Sequence, residues 1–90
     1  MVVLRVSPAW KRQTGGSARF DVEEGTLLRI ITDFAHRYPD NKFRVLDANG
    51  AIYSYFKVFI DDEMVPFASF ADTHVSPGST VDIVPPMAGG

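Results

Sequence analysis

One run of apolar residues at helical spacing, Leu27, Ile30, Ile31, Phe34, Ala35 and Tyr38, governs what this chain can fold into. The offsets i, i+3, i+4, i+7, i+8 and i+11 line a single helix face, and Leu28 is the only large apolar residue off it. Gly25 or Thr26 serves as the N-cap, with Glu23 and Glu24 just upstream, and Pro39 stops the helix after Tyr38. Every other ordered segment must pack against this one stripe.

The remaining segments read as strands. Val2, Leu4 and Val6 alternate with Val3, Arg5 and Ser7, a period of two, until Pro8 ends the run. Ala9 to Ser17, with Trp10, Lys11, Arg12 and the Thr14-Gly15-Gly16 punctuation, fits a long hairpin loop. Ala18, Phe20 and Val22 then supply the second strand of a first hairpin. Asp40 to Gly50 is an irregular connection anchored by Phe43, Val45 and Leu46, ending in the Asn49-Gly50 turn. Tyr53 to Ile60 reads as a strand with Phe56, Val58 and Ile60 on one face and Tyr53, Tyr55, Lys57 and Phe59 on the other. Asp61-Asp62-Glu63 is a turn, and Met64 to Phe67 a short edge segment in which Pro66 is tolerated. After a turn at Pro77-Gly78, Thr80 to Val84 forms the last strand, Val81 and Ile83 inward, and Pro85-Pro86 ends it because neither proline donates a ladder hydrogen bond.

Hairpin, helix, strand, short strand and strand, with one apolar face each, pack economically as a mixed sheet curled over one main helix. The expected class is therefore α+β, in the outline of the ubiquitin-like β-grasp. Residues 1–86 are expected to make the domain and residues 87–90 a flexible tail. At 90 residues, 46% apolar and 22% charged, the chain has one core and no room for a second. A net charge of −2 lacks the basic excess that nucleic acid or an anionic membrane surface requires, so neither is an expected partner. Apolar runs of a few residues are far short of a bilayer span, and Met1 to Arg5 lacks the layout of a signal peptide, which together read as a soluble, cytoplasmic protein. Cysteine is absent, which removes disulfides, thiolate zinc sites and cysteine nucleophiles.

Side chains offer little chemistry. His36 falls on the polar side of the helix and His74 in a loop, and neither has a partner at metal-ligand spacing. Asp61, Asp62 and Glu63 lack EF-hand spacing and suit a charged hairpin tip. Thr14-Gly15-Gly16 near Lys11 and Arg12 lacks the ending and following helix of a phosphate loop. No serine stands in a Gly-x-Ser-x-Gly elbow. No catalytic side chain, bound cofactor or metal site is expected. The end of the chain differs: a stiff proline pair follows directly on a buried strand, and an extended arm of that length reaches roughly 20 Å. Gly89 and Gly90 leave a partner's cleft only backbone to accommodate and leave the terminal carboxylate unhindered for attack.

The closing segment from Val81 through Ile83, Pro85, Pro86, Met87, Ala88 and Gly89 to Gly90 resembles the ends of the MoaD/ThiS family of ubiquitin-like sulfur carrier proteins. Arg12 to Gly16, the helix opening at Gly25 to Leu27, Val58 to Glu63 and the turn before Thr80 are similar to its cysteine-biosynthesis branch; Asp40 to Ala51 and Met64 to Pro66 depart from it. The resemblance implies a carrier acted on by others. An E1-like adenylyltransferase, using ATP and Mg, converts the Gly90 carboxylate to an acyl-adenylate, and a sulfur source displaces AMP to leave a thiocarboxylate. Pro86, Met87, Ala88 and Gly89 are then the residues by which partners recognise the tail. A sulfur-accepting biosynthetic enzyme is the second implied partner, and a thiocarboxylate-releasing protease a third. The acceptor pathway, whether cysteine, molybdopterin, thiamine or a specialised metabolite, stays open.

A carrier that visits two enzymes needs a surface both can use. Tyr53, Tyr55 and Phe59 on the outer face of the third strand, with Val84 on the last, are the candidate docking patch. The competing reading folds the long connection over them as a minor core. Two other functions remain beside the carrier: a protein modifier joined through Gly90 to lysines, and an interaction module whose tail does no chemistry.

Overall fold

Helix α1 (Leu27–Arg37) forms where the stripe places it. Thr26 is its N-cap, the hydroxyl accepting from the Arg29 N–H at 3.2 Å, and the chain leaves the helix at Tyr38, immediately before Pro39. Leu27, Ile30, Ile31, Phe34 and Ala35 are buried, and Tyr38 packs half-buried at the end of the stripe. The computed structural model describes residues 1–85 apart from the side chain of Phe43, so the expected 87–90 tail lies outside the described residues.

A five-stranded sheet covers the apolar face of α1. Strand β1 (Val2–Arg5) pairs antiparallel with β2 (Arg19–Val22) on one side and parallel with β7 (Thr80–Val84) on the other. Beyond β7 come β4 (Lys57–Ile60), antiparallel, and β5 (Glu63–Met64) at the far edge, giving the order β2-β1-β7-β4-β5. Register sets Leu4 beside both Phe20 and Val81, and Val58 opposite Ile83. All five are buried, which is the period-two pattern turned inward. The mixed sheet curled over one main helix is the ubiquitin-like β-grasp that the pattern predicts.

Five segments depart from the sequence expectation. The first hairpin's connection contains a 3-10 helix, Pro8–Gln13, started by the Ser7 hydroxyl accepting from the Ala9 N–H at 3.2 Å. It presses Trp10 into the core, edge-on to Phe56 with ring centroids 5.9 Å apart. The turn after it needs positive φ at Gly15 (72°) and Gly16 (92°), which glycine adopts without steric penalty. The connection after α1 contains a 3-10 turn, Pro39–Asn41, and the short helix α2 (Lys42–Val45), then bends back so that Leu46 bridges Ile52. Val45 and Leu46 are buried anchors, as expected.

The third and fourth departures concern strand limits. The strand expected from Tyr53 begins only at Lys57; residues before it form a turn in which the Phe56 N–H reaches the Tyr53 carbonyl. Beyond β5, Val65 is buried and Phe67–Ser69 is another 3-10 turn instead of a continued edge segment. His74 belongs to a strand, not a loop: β6 (His74–Val75) pairs with β3 (Gly25–Thr26) in a separate two-stranded ribbon at the N-terminus of α1. No helix among the described residues is long and apolar enough to cross a membrane.

Candidate functional site

Strand β7 is the middle strand of the sheet, and the sequence following it carries the Gly-Gly motif. Hydrogen bonds to β1 on one side and β4 on the other fix it, and Val81 and Ile83 anchor it beneath. A chain leaving such a strand therefore starts from one of the most constrained points of the fold. Pro86, Met87, Ala88, Gly89 and Gly90 lie outside the described residues.

Around the root of that segment, the outer sheet face carries one row across four strands: Arg5, Asp82, Phe59 and Met64 stand in register. Arg5 grips the Asp82 carboxylate with both arms of its guanidinium, Nε to Oδ1 and Nη2 to Oδ2 at 2.7 Å. The hydrogen bonds and charge of Asp82 raise the Arg5 pKa above its ordinary value. Beside this fork the face carries three apolar residues, with the exposed Lys57 opposite Val84. Met64 is 61% exposed, Val84 43%, and Phe59 is half-buried between them in the sheet.

Of the docking residues expected from sequence, Phe59 and Val84 do share this face. Tyr53 and Tyr55 do not continue it, because β4 starts two residues after Tyr55. They stack on one another at 4.8 Å and 28°, and each contacts the buried Phe56. Tyr53 is half-buried against the core, in the manner of the competing minor-core reading, whereas Tyr55 is 54% exposed. Aromatic alternation from Tyr53 to Phe59 misleads because the turn after Ile52 resets the face.

Sequence reasoning missed Arg5, Asp82 and Met64. The available signal was the Asp61-Asp62 pair: both residues take positive φ, 50° and 70°, making a two-residue hairpin that sets Met64 opposite Phe59. The Asp61 carboxylate also accepts from the Thr80 N–H at 2.9 Å, tying the hairpin tip to the start of β7. That bond and the Ser79 hydroxyl hold the Asp61 pKa below its ordinary value. His36 and His74 are both exposed, on α1 and β6. Among the described residues no group of three or more His, Cys, Asp or Glu is placed to hold a metal ion.

Known structures place the architecture. The chain is similar over 100% of both chains, at TM-score 0.85 and 28% identity, to a chain of the Amycolatopsis orientalis BexX/CysO complex. It also shares its fold with small archaeal modifier protein 1 from Methanosarcina acetivorans, at TM-score 0.82 and 13% identity, over 99% of this chain and 95% of that one. In sequence it is 26% identical over 91 residues to the sulfur carrier protein CysO of Mycobacterium tuberculosis, covering 99% of this chain and 98% of the relative. The sequence model of the ThiS family matches residues 8–90, from the first 3-10 turn through the Gly-Gly motif, and the chain belongs to that family.

Proposed function

We propose that this protein is a sulfur carrier whose Gly90 carboxylate, as the chain terminus, is the working group. The observation that carries the reading is the family match over residues 8–90, which takes in both the central strand β7 of a β-grasp and the Gly-Gly motif that comes after it in sequence. Relatives named as sulfur carrier proteins over nearly the full length support it. The domain, residues 1–86, then serves as a handle and residues 87–90 as the delivering arm, with Pro86, Met87, Ala88 and Gly89 read by the partner's cleft.

Carboxylate chemistry dictates the cycle. A free carboxylate is a poor electrophile because oxide is its leaving group, so an E1-like partner holding ATP and Mg transfers AMP to Gly90 and releases pyrophosphate. A sulfide or persulfide sulfur attacks the acyl carbon, and AMP leaves with the C–O bond electrons. When the donor is a persulfide, a second thiol reduces the resulting acyl disulfide and frees the thiocarboxylate. A sulfur-accepting enzyme then consumes it. The carrier contributes the acyl carbon and a docking face, and no side chain of its own enters a bond-making step. The cytoplasm, where ATP and reduced sulfur coexist, is the compartment we assign.

Intact mass spectrometry after incubation with the cognate activating enzyme, ATP and sulfide tests this. Replacement of one oxygen by sulfur is the expected product, and deletion of Gly90 should abolish it while leaving the fold unchanged. Unaltered mass in the full chain, or loading in the deletion, overturns the reading. A ladder of lysine conjugates in place of the thiocarboxylate would instead identify a protein modifier.

A further inference from the structure

The opposite edge of the sheet carries a feature the carrier cycle does not use. Strand β2 is an edge strand, and between it and α1 lies a cleft of about 220 Å³ whose walls include Phe20, Val22, Ile30 and Phe34. That volume is smaller than the roughly 300–1,000 Å³ of small-molecule sites and suits one large apolar side chain. The backbone above the cleft is partly open. Val6 donates to the Ala18 carbonyl, so in this antiparallel ladder Ala18, Phe20 and Val22 bond inward to β1, while Arg19 and Asp21 aim their N–H and C=O groups off the edge. At Arg19 both groups are already engaged by the Ser17 hydroxyl, which accepts from the N–H at 3.3 Å and donates to the carbonyl at 2.9 Å. The open stretch of edge therefore begins at Asp21, directly over the cleft.

Charge says what fits there. Asp21 and Glu23 rim the cleft, Glu24 follows, and all three are exposed with no side-chain ion pair among the described residues. Asp33, also on the rim, is joined to Arg29 at 3.2 Å, and Arg37 lies over the rings of Phe20 and Tyr38 at 6.0 and 5.5 Å. Along the strand side of the rim the side-chain charge is therefore acidic, with Met1 at its end, while the cation on the helix side, Arg37, is held over the rings. We propose that this edge is a second docking site, which takes an extended segment of a partner protein bearing one large apolar side chain flanked by Lys or Arg. The segment extends the sheet by pairing with Asp21, seats its apolar residue against Phe20 and Phe34, and sets its cations beside Asp21 and Glu23. The Ser17 cap fixes where pairing starts, and so the register. A second copy of this chain fits poorly, since antiparallel pairing of two β2 edges about their open stretch sets Asp21 against Asp21.

The site is independent of sulfur loading and is tested without it. The probe is the blocked peptide Ac-Thr-Lys-Phe-Lys-Thr-NH2, whose lysines fall on the face that Asp21 presents when Phe enters the cleft, titrated into 15N-labelled full chain, with Ac-Thr-Glu-Phe-Glu-Thr-NH2 as control. Expected are amide shifts confined to β2 and the facing side of α1, slowed exchange of the Asp21 amide, and an affinity in the range of about 1 mM or tighter. The Asp21→Lys/Glu23→Lys variant, altered only at exposed positions, should bind the basic peptide at least about fivefold more weakly and gain binding to the acidic one. Shifts on the outer sheet face, equal binding of both peptides, no binding of either, or concentration-dependent β2 shifts without peptide, the mark of self-association, would each overturn the proposal.

Discussion

Asp61 shows how one side chain can join two distant parts of this fold. Its backbone takes the left-handed conformation of the hairpin tip, and its carboxylate reaches across to the Thr80 N–H. Because the folded-state pKa is depressed below the ordinary 3.8, first by the Thr80 hydrogen bond and then by Ser79, the contact favours the folded chain wherever Asp61 is ionised. That stabilisation is fully present above the unfolded value and is lost as pH falls through the folded one. An Asp61→Asn variant tolerates the same positive φ and keeps an acceptor oxygen but carries no charge. It should unfold at lower denaturant than the parent at pH 7, and the gap should close below pH 3.8; a gap constant with pH would show that the charge is irrelevant.

At the scale of elements, what the sequence disclosed follows the strength of the repeating signal. Six apolar positions at helical offsets left α1 no alternative, and Thr26 and Pro39 marked its ends. Strands with alternating Val, Leu, Phe and Ile were equally legible. Elements lacking a period were not. Strands β3 and β6 are two residues each, too short to show alternation, and α2 is a single turn amid charged residues. The turn before β4 was concealed by aromatic residues that favour strands generally but here pack as a cluster. At the site, the Gly-Gly motif and the Phe59 and Val84 positions were readable, whereas the Arg5–Asp82 fork depends on which strands are neighbours, which only the tertiary fold decides.

The 3-10 helix Pro8–Gln13 is more than a connection between strands. Read as a loop, it would be dispensable; in the structure it closes one end of the core through Trp10, 6% exposed and packed on Phe56. Trp10→Ala should therefore cost about 3–5 kcal/mol of unfolding free energy, the range for removing a buried aromatic residue. Urea denaturation followed by far-ultraviolet circular dichroism measures it, and a loss below about 1 kcal/mol would return the segment to the status of a surface loop.

On the scale of the whole molecule, the outer face of the sheet is the surface next to the end of β7. Helix α1 packs on one face, so a partner that holds the segment beyond β7 is offered the other face and the strand ends. There Phe59, Val84 and Met64 surround the root of the tail, and the Arg5–Asp82 fork supplies a fixed polar mark beside them. Apolar residues at the centre of an interface commonly contribute about 2 kcal/mol or more each. Met64→Asp, at a position already exposed on the edge strand β5, should leave the unfolding midpoint nearly unchanged while weakening binding to the activating enzyme proposed above by that amount. Phe59→Asp should weaken binding at least as much, and it places a second carboxylate opposite Asp82, so its fold is checked by circular dichroism before its affinity is read. Calorimetric titration of each folded variant against the activating enzyme decides the matter. If both bind as the parent does, the outer face is not the gripping surface, and partners hold the carrier by its tail alone.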